Sequence, residues 1–256
     1  MDGSMEIWVG KVAIVTGASA GIGAAIAQKL VEEGLQVVGF ARRAERVKEL
    51  AKKLHDKKGK LHAVKADVSK EKEILKAFQW VEKHVGHVHI LVNNAGVVKQ
   101  TSLMEGDTKM WQAVLDTNIL GLCVATREAI RVMKANKIDG HIIHINSISG
   151  HNVPDFPGLN IYPASKHAVT AVTESLRQEL SQANLKIKIT SVSPGSVSTE
   201  MGQTNNFVID AQTEALLKSM PYLQPEDIAD SVLYVLSTPP TVQVHELTIK
   251  PIGELQ

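Results

Sequence analysis

Val12-Ala13-Ile14-Val15-Thr16-Gly17-Ala18-Ser19-Ala20-Gly21-Ile22-Gly23 is the stretch on which the fold turns. It begins as a short, unbroken apolar run, as expected of a strand buried on both faces of a parallel sheet. A glycine-rich turn follows, and a helical pattern then runs through Leu30 to a stop near Gly34. Strand, glycine turn and helix together make an anion site, because the first N–H groups of the helix and its dipole point at whatever the close backbone admits. The glycines are spaced Gly-x-x-x-Gly-x-Gly, which differs from the common Gly-x-Gly-x-x-Gly dinucleotide pattern. A purely structural loop is the competing reading.

Outward from that turn, Gln36 to Ala41 reads as a second strand and ends in Arg42-Arg43. Roughly twenty residues after the glycine turn, a carboxylate would bind the ribose 2′-hydroxyl of NAD, whereas an arginine accommodates the 2′-phosphate of NADP. Guanidinium forks match phosphate oxygens, so NADP is the favoured ligand. Otherwise the two arginines are solvated charges at a helix start, where they would oppose the helix dipole. Glu45 to Leu54 reads as an amphipathic helix and Leu61 to Lys65 as a third strand. Asp67 follows that strand, placed either to touch an adenine ring or to cap the helix from Lys70 to Val85. His84, His87 and His89 lack cysteine or carboxylate companions at ligand spacing, and no metal is assigned.

Ile90 to Val92 is a fourth strand closing on Asn93-Asn94-Ala95-Gly96, where small residues and amides let a flat ligand approach, or form a plain turn. A long helix is expected from Thr108 to Lys134, carrying Asn118 among the apolar Leu115, Ile119 and Leu122. A buried amide there needs hydrogen-bond partners. The fifth strand, Ile142 to Asn146, ends in Ser147, which would face a nucleotide crevice at the strand tips. After a loop from His151 to Ile161 comes Tyr162-Pro163-Ala164-Ser165-Lys166. Pro163 suits a first helical turn and biases Tyr162 toward its boundary. Residues one helical turn apart share a face, so Tyr162 and Lys166 can address one small volume, and an ammonium there favours phenolate. The same pentapeptide also reads as a helix start with a snorkelling lysine. Lys188 to Val192 is a sixth strand reaching Ser193-Pro194-Gly195, and a loosely patterned excursion, 196–224, suits a substrate lid or a surface insertion. It contains Met201, Asn205, Asn206, Phe207 and a weak helix near Gln212 to Lys218. A last helix from Pro225 to Ser237 and a seventh strand from Glu246 to Lys250 complete the pattern.

The chain has 256 residues, 44% hydrophobic and 21% charged, which suits one domain with a full core, 1–256. Lys+Arg 28 against Asp+Glu 27 leaves a net charge of +1, so the footprint of a nucleic-acid binder is missing and a small-molecule partner is expected. Cys123 is the only cysteine, which excludes an internal disulfide and fits a reducing compartment. No apolar run reaches membrane-spanning length, and residues 1–4 before Met5 read as an appended remnant.

In order, these motifs resemble the short-chain dehydrogenase/reductases of the classical type, over nearly the whole chain. The resemblance rests on Thr16 to Gly23, on Asn93-Asn94-Ala95-Gly96, on Asn118, Ser147, Tyr162 and Lys166, and on Pro194-Gly195. Phe40-Ala41-Arg42, Ile145 to His151, Arg177-Gln178-Glu179-Leu180 and Leu236-Ser237-Thr238-Pro239 look like a cytosolic NADP-dependent subgroup. That subgroup includes insect farnesol dehydrogenases and the vertebrate dehydrogenase/reductase member eleven. The resemblance implies an α/β, doubly wound, mostly parallel seven-stranded Rossmann fold. It also implies reversible hydride transfer between NADP and an alcohol or carbonyl, with Asn118, Ser147, Tyr162 and Lys166 catalytic. Cofactor contacts would come from Gly17, Ser19, Ala20, Gly21, Ile22, Gly23, Arg42, Arg43, Lys48, Asp67, Val68, Asn93, Ala95, Gly96, Tyr162, Lys166, Pro194, Gly195, Val197 and Thr199. Many NADP-preferring relatives carry Lys or Arg at the position of Ala20, so phosphate recognition here would rest on Arg42, Arg43 and, as a further candidate, Lys48, with incomplete selectivity for NADP. Farnesol or another isoprenoid alcohol, or else a steroid or general carbonyl compound, is the expected substrate, with Met104, Val153, Phe156, Leu159, Met201 and Phe207 as an apolar lining. A homodimer or homotetramer in the cytoplasm goes with the family. A non-catalytic NADP-binding scaffold on the same fold is the reading from another class.

Overall fold

Buried apolar residues build a sheet from the middle outward: β1 (Val12–Thr16) is buried along its whole length, and its neighbours β2 (Gln36–Ala41) and β4 (Val88–Asn93) nearly so. The computed structural model describes residues 4–156, 158–201, 211, 215 and 218–254. With β3 (Lys60–Lys65), β5 (His141–Ile145), β6 (Lys188–Pro194) and β7 (Glu246–Ile249) it holds a seven-stranded sheet in the order β3-β2-β1-β4-β5-β6-β7. Every pairing is parallel. The chain builds outward from β1 to β3 and then returns to add β4 on the other side of β1. That reversal opens a crevice at the strand tips, where doubly wound sheets bind ligands.

Each strand residue faces the layer its parity dictates. Ala13 and Val15 pack with Ile26 and Leu30 of α1 (Gly21–Glu32) and with Ile228 and Val232 of α7 (Pro225–Leu236). Ile14 packs on the opposite face with Ile74 and Phe78 of α3 (Glu71–His84), Val132 of α5 (Leu122–Ala135) and Leu176 of α6 (Ile161–Gln182). Phe40 and Phe78 meet edge to face at 5.8 Å. Two further helices are α2 (Ala44–Lys53) and α4 (Thr108–Leu115).

Two expectations change in detail. The long helix from Thr108 to Lys134 forms, but a π turn, Asp116–Gly121, divides it into α4 and α5. Gly121 allows this turn to press on the chain, because a Cβ there would collide with the Val68 carbonyl. Tyr162 lies inside the first turn of α6, not at its boundary: Asn160 caps that turn by accepting from the Ile161 N–H at 2.7 Å, and Pro163 occupies a position whose N–H needs no partner. The excursion 196–224 is closed at its base, where Ser198 N–H donates to Leu223 O and Leu223 N–H to Ser196 O at 2.8 and 2.9 Å. Asn205, Asn206, Phe207 and most of the helix expected from Gln212 to Lys218 lie outside the described residues. Ser4 caps a short N-terminal turn by accepting from the Glu6 N–H. Among the described residues no helix is long and apolar enough to cross a membrane.

Candidate active site

The turn after β1 shows why its glycines are needed. Gly17 has φ +70°, and a Cβ there would lie 2.9 Å from the Ala95 Cα; a Cβ on Gly23 would collide with the Gly17 carbonyl and the Asn94 amide. The N-cap of α1 is Ala20, which offers no side chain to the first turn. Those unclaimed amides open into a cleft of about 770 Å³, a cradle suited to a phosphate group. Gly17, Ser19, Ala20, Gly21, Ile22 and Gly23 all line it.

Asn94 locks this turn to β4. Its Nδ2 donates to Thr16 O at 2.9 Å, while Asn94 N–H and Ala95 N–H both donate to Thr16 Oγ1 at 3.0 Å. Asn94, Ala95 and Gly96 line the cleft, whereas Asn93 points behind the sheet tip and donates to Thr126 Oγ1 at 2.9 Å. From there a buried polar chain continues: Thr126 Oγ1 lies 3.3 Å from His144 Nε2, and His144 Nδ1 2.9 Å from Thr173 Oγ1. Burial, with Lys166 nearby, depresses His144 to about 3, so the ring is neutral.

The strand tips also deliver the remaining polar groups. Ser147 follows β5, and its Oγ accepts from the Ser149 N–H at 3.0 Å, which fixes the rotamer. Tyr162 and Lys166 line the same cleft from the first two turns of α6. Lys166 Nζ lies 5.8 Å from the centre of the phenol ring and donates to Ile145 O at 2.9 Å. Burial lowers the lysine to about 8. Burial also raises the Tyr162 phenol above its ordinary value, and the Ser147 hydroxyl pulls it back down. Asn118, in the π turn, sits behind this group. Its Oδ1 accepts from Val97 N–H at 2.8 Å, and its Nδ2 donates to Val97 O and Ser165 Oγ at 2.9 and 3.0 Å. Both amide hydrogens are therefore engaged.

At the far end, Arg42, Arg43, Asp67 and Val68 line the cleft. Asp67 accepts from Ser69 N–H and Oγ at 3.0 and 2.7 Å; burial alone would raise its pKa, but these bonds, Arg42 and Lys70 outweigh burial and lower it. Lys48 does not join them: it pairs with Glu45 at 2.8 Å and lines a separate shallow groove beside Trp80. Pro194, Gly195, Val197 and Thr199 close the cleft from the end of β6. Glu254, 3% exposed, holds this segment by accepting from Ser196 N–H at 2.8 Å. Of the expected apolar lining, Met201 reaches the cleft, while Met104 and Val153 are largely exposed and stand outside its wall. Sequence reasoning missed Asn94 as a turn lock, and Lys99, Lys109 and Glu200 as cleft-lining charges. For Asn94 the signal was parity, since Asn93 shares a face with Leu91 and so must point to α5.

Comparison with known proteins agrees with this arrangement. The family profile described as short chain dehydrogenase matches residues 11–207. The chain is 56% identical over 252 residues to "Farnesol dehydrogenase" of Aedes aegypti, covering 98% of this chain and 99% of that protein. It is 43% identical over 254 residues to "Dehydrogenase/reductase SDR family member 11" of Bos taurus, covering 98% of this chain and 100% of that one. A solved structure of a short chain dehydrogenase from Burkholderia cenocepacia J2315 in complex with NADP superposes with a TM-score of 0.82 at 31% identity, covering 95% of this chain and 97% of that one. The chain belongs to the short-chain dehydrogenase/reductase family and is an oxidoreductase of the alcohol dehydrogenase type.

Proposed function

We propose that the protein uses NADP to interconvert an alcohol and a carbonyl on a hydrophobic substrate such as farnesol or another isoprenoid alcohol. The observation that carries this reading is the convergence of Ser147, Tyr162 and Lys166 on one wall of the cleft that also holds the glycine turn. The arginine pair favours NADP, since β2 ends in guanidinium groups and not in a carboxylate. Identity with a protein named farnesol dehydrogenase supports the isoprenoid substrate.

Nicotinamide, when bound, supplies or accepts the hydride. In reduction Tyr162 gives its proton to the carbonyl oxygen, a task suited to a phenol that burial keeps protonated. Ser147 donates a hydrogen bond to that oxygen and orients it. Oxidation needs the phenolate, which a charged Lys166, its Nζ 5.8 Å from the ring centre, favours over the phenol. The oxidative rate therefore rises with pH while the reductive rate falls. Asn118 holds the Val97 loop and α6 in register; because its amide hydrogens are engaged, a relay water would rest on its remaining acceptor capacity. Cofactor contacts fall to the glycine turn, Asp67, Val68, Ala95, Gly96, Lys166 and the Pro194–Thr199 segment. On this reading residues 1–256 act as one nucleotide-binding domain with 196–224 as its lid, assembled as a homodimer or homotetramer in the cytoplasm.

Tyr162→Phe tests the reading. Nicotinamide absorbance with a panel of alcohols and carbonyls should show turnover falling roughly a hundred- to ten-thousand-fold, with NADP still bound. Retained turnover would remove Tyr162 as the acid/base; NADP binding by the unaltered chain without any conversion would favour a scaffold.

A further inference from the structure

The segment leaving β6 places a carboxylate at the arginine end of the cleft. Glu200 lines the cleft with Arg42 and Arg43. Both its oxygens accept from Arg46 Nη1, at 3.0 and 2.8 Å, and Arg43 Nη2 lies 3.6 Å away. Arg46 comes from α2 and lies 154 positions from Glu200 in the chain, so this is a tertiary contact between α2 and the segment that leaves β6. Thr199, next to it, packs against the glycine turn, since a Cβ on Gly21 would stand 3.2 Å from its methyl group. The side chains of Arg43, Arg46 and Glu200 are each about half exposed, at 47%, 47% and 45%. An exposed pair of this kind contributes little to folding. Its effect falls instead on any anion that must use the same donors. Three guanidinium groups, Arg42, Arg43 and Arg46, are balanced there by two carboxylates, Asp67 and Glu200. Among the described residues Arg42 alone of the three forms no ion pair.

We infer that Glu200 is a specificity-determining residue: it engages Arg43 and Arg46, so a 2′-phosphate must displace it, while the 2′-hydroxyl of NAD leaves the contact intact. The inference rests on the reading that Arg42 and Arg43 receive the 2′-phosphate. It makes the cofactor preference a competition between two anions for one pair of guanidinium groups, with Glu200 narrowing the margin that the arginines set. It also gives Arg46, outside the family motifs, a share in cofactor choice.

Calorimetric titration of the full chain with NADP and with NAD tests this, using the unaltered protein, Glu200→Gln, Arg46→Met and the double variant. Glu200→Gln keeps the shape and removes the charge. It should tighten NADP by about three- to tenfold and change NAD less, so that the ratio of the two dissociation constants moves toward NADP. In the Arg46→Met background the same substitution should move the ratio by less than half as much, because one of its partners is gone. An unchanged ratio, a ratio moved toward NAD, or parallel changes for both nucleotides would overturn the inference; parallel changes would show that Glu200 only braces the segment. If the unaltered chain binds NADP and the ratio stays fixed, this inference alone falls. If it binds neither nucleotide, the NADP reading falls with it.

Discussion

Lys166 should make the protein less stable at neutral pH than its contacts suggest, and Lys166→Met isolates that effect. Lys166 is 6% exposed, and its ammonium donates to the Ile145 carbonyl and faces the Tyr162 ring, with no carboxylate paired to it among the described residues. Burial lowers its pKa from 10.5 to about 8. At ~1.4 kcal/mol per unit, keeping it charged in the folded state costs about 3 kcal/mol. The sign follows from proton counting. Below about 8 both states hold the proton and the full cost is felt; between about 8 and 10.5 only the unfolded chain holds it, so stability rises with pH; above 10.5 neither does and the cost is gone. Methionine matches the length without the charge and lacks this dependence. Its loss of the hydrogen bond to Ile145 is a constant offset, because a neutral amine still donates. Tyr162 titrates in the same window and feels the amine, so both chains carry Tyr162→Phe in this comparison. Urea unfolding of both proteins from pH 7 to pH 11 should therefore show the chain that keeps Lys166 gaining about 3 kcal/mol on the one that carries Lys166→Met across that window. A flat difference would mean that the amine is solvated or paired well enough to keep an ordinary pKa, and the argument from burial would fail.

Gly23→Ala should leave the far-ultraviolet circular dichroism of the fold in place but weaken nucleotide binding by at least roughly tenfold in titration, because the new methyl meets the Gly17 carbonyl and the Asn94 amide. Binding that survives would show that the turn can shift without harm. His144, depressed to about 3 by burial and then by Lys166, is neutral in the fold and titrates near 6.5 when unfolded. Its share of stability is full above 6.5 and is lost as pH falls toward about 3. Unfolding measured from pH 6.5 to pH 4.5 should lose ~1.4 kcal/mol per unit less in His144→Gln than in the unaltered chain. Equal slopes would place the ring in contact with water.

How much of this was legible in the sequence depended on the range of the forces involved. β1, its glycine turn and α1 were readable because an apolar run, positive-φ glycines and a helical period are local. Tyr162 and Lys166 could be placed together because a helix fixes their spacing. Lys48 was misplaced for a reason helix phase explains: Ala44 and Val47 set the buried face of α2, and Lys48 turns away from the cleft to meet Glu45. Asn93 and Asn94 are chemically alike in the sequence, and only the extension of β4 through Asn93, on the face of Leu91, turns the first away from the cleft and leaves the second to line it. Burial at Tyr162, which raises its pKa where the sequence argued only for lowering by lysine, depends on residues far along the chain. The contact between Glu200 and Arg46 was equally out of reach, since no local pattern links two residues so distant in sequence.

The π turn between α4 and α5 also determines which kinds of sequence change this region can absorb. An ordinary α-helix advances ~100° per residue, and the wider turn at Asp116–Gly121 accommodates one residue more than that pitch allows. Substitution at Thr117 or Ile119 leaves the spacing intact. Deleting either would let the turn tighten to regular pitch and rotate everything before it against everything after it. Val114 would then leave its buried position, or Leu122 and Gly121 would leave theirs. Length in this interval is therefore under tighter constraint than identity, and a library of single-residue deletions should show a sharp loss of folded protein here where a library of substitutions at the same half-buried positions does not.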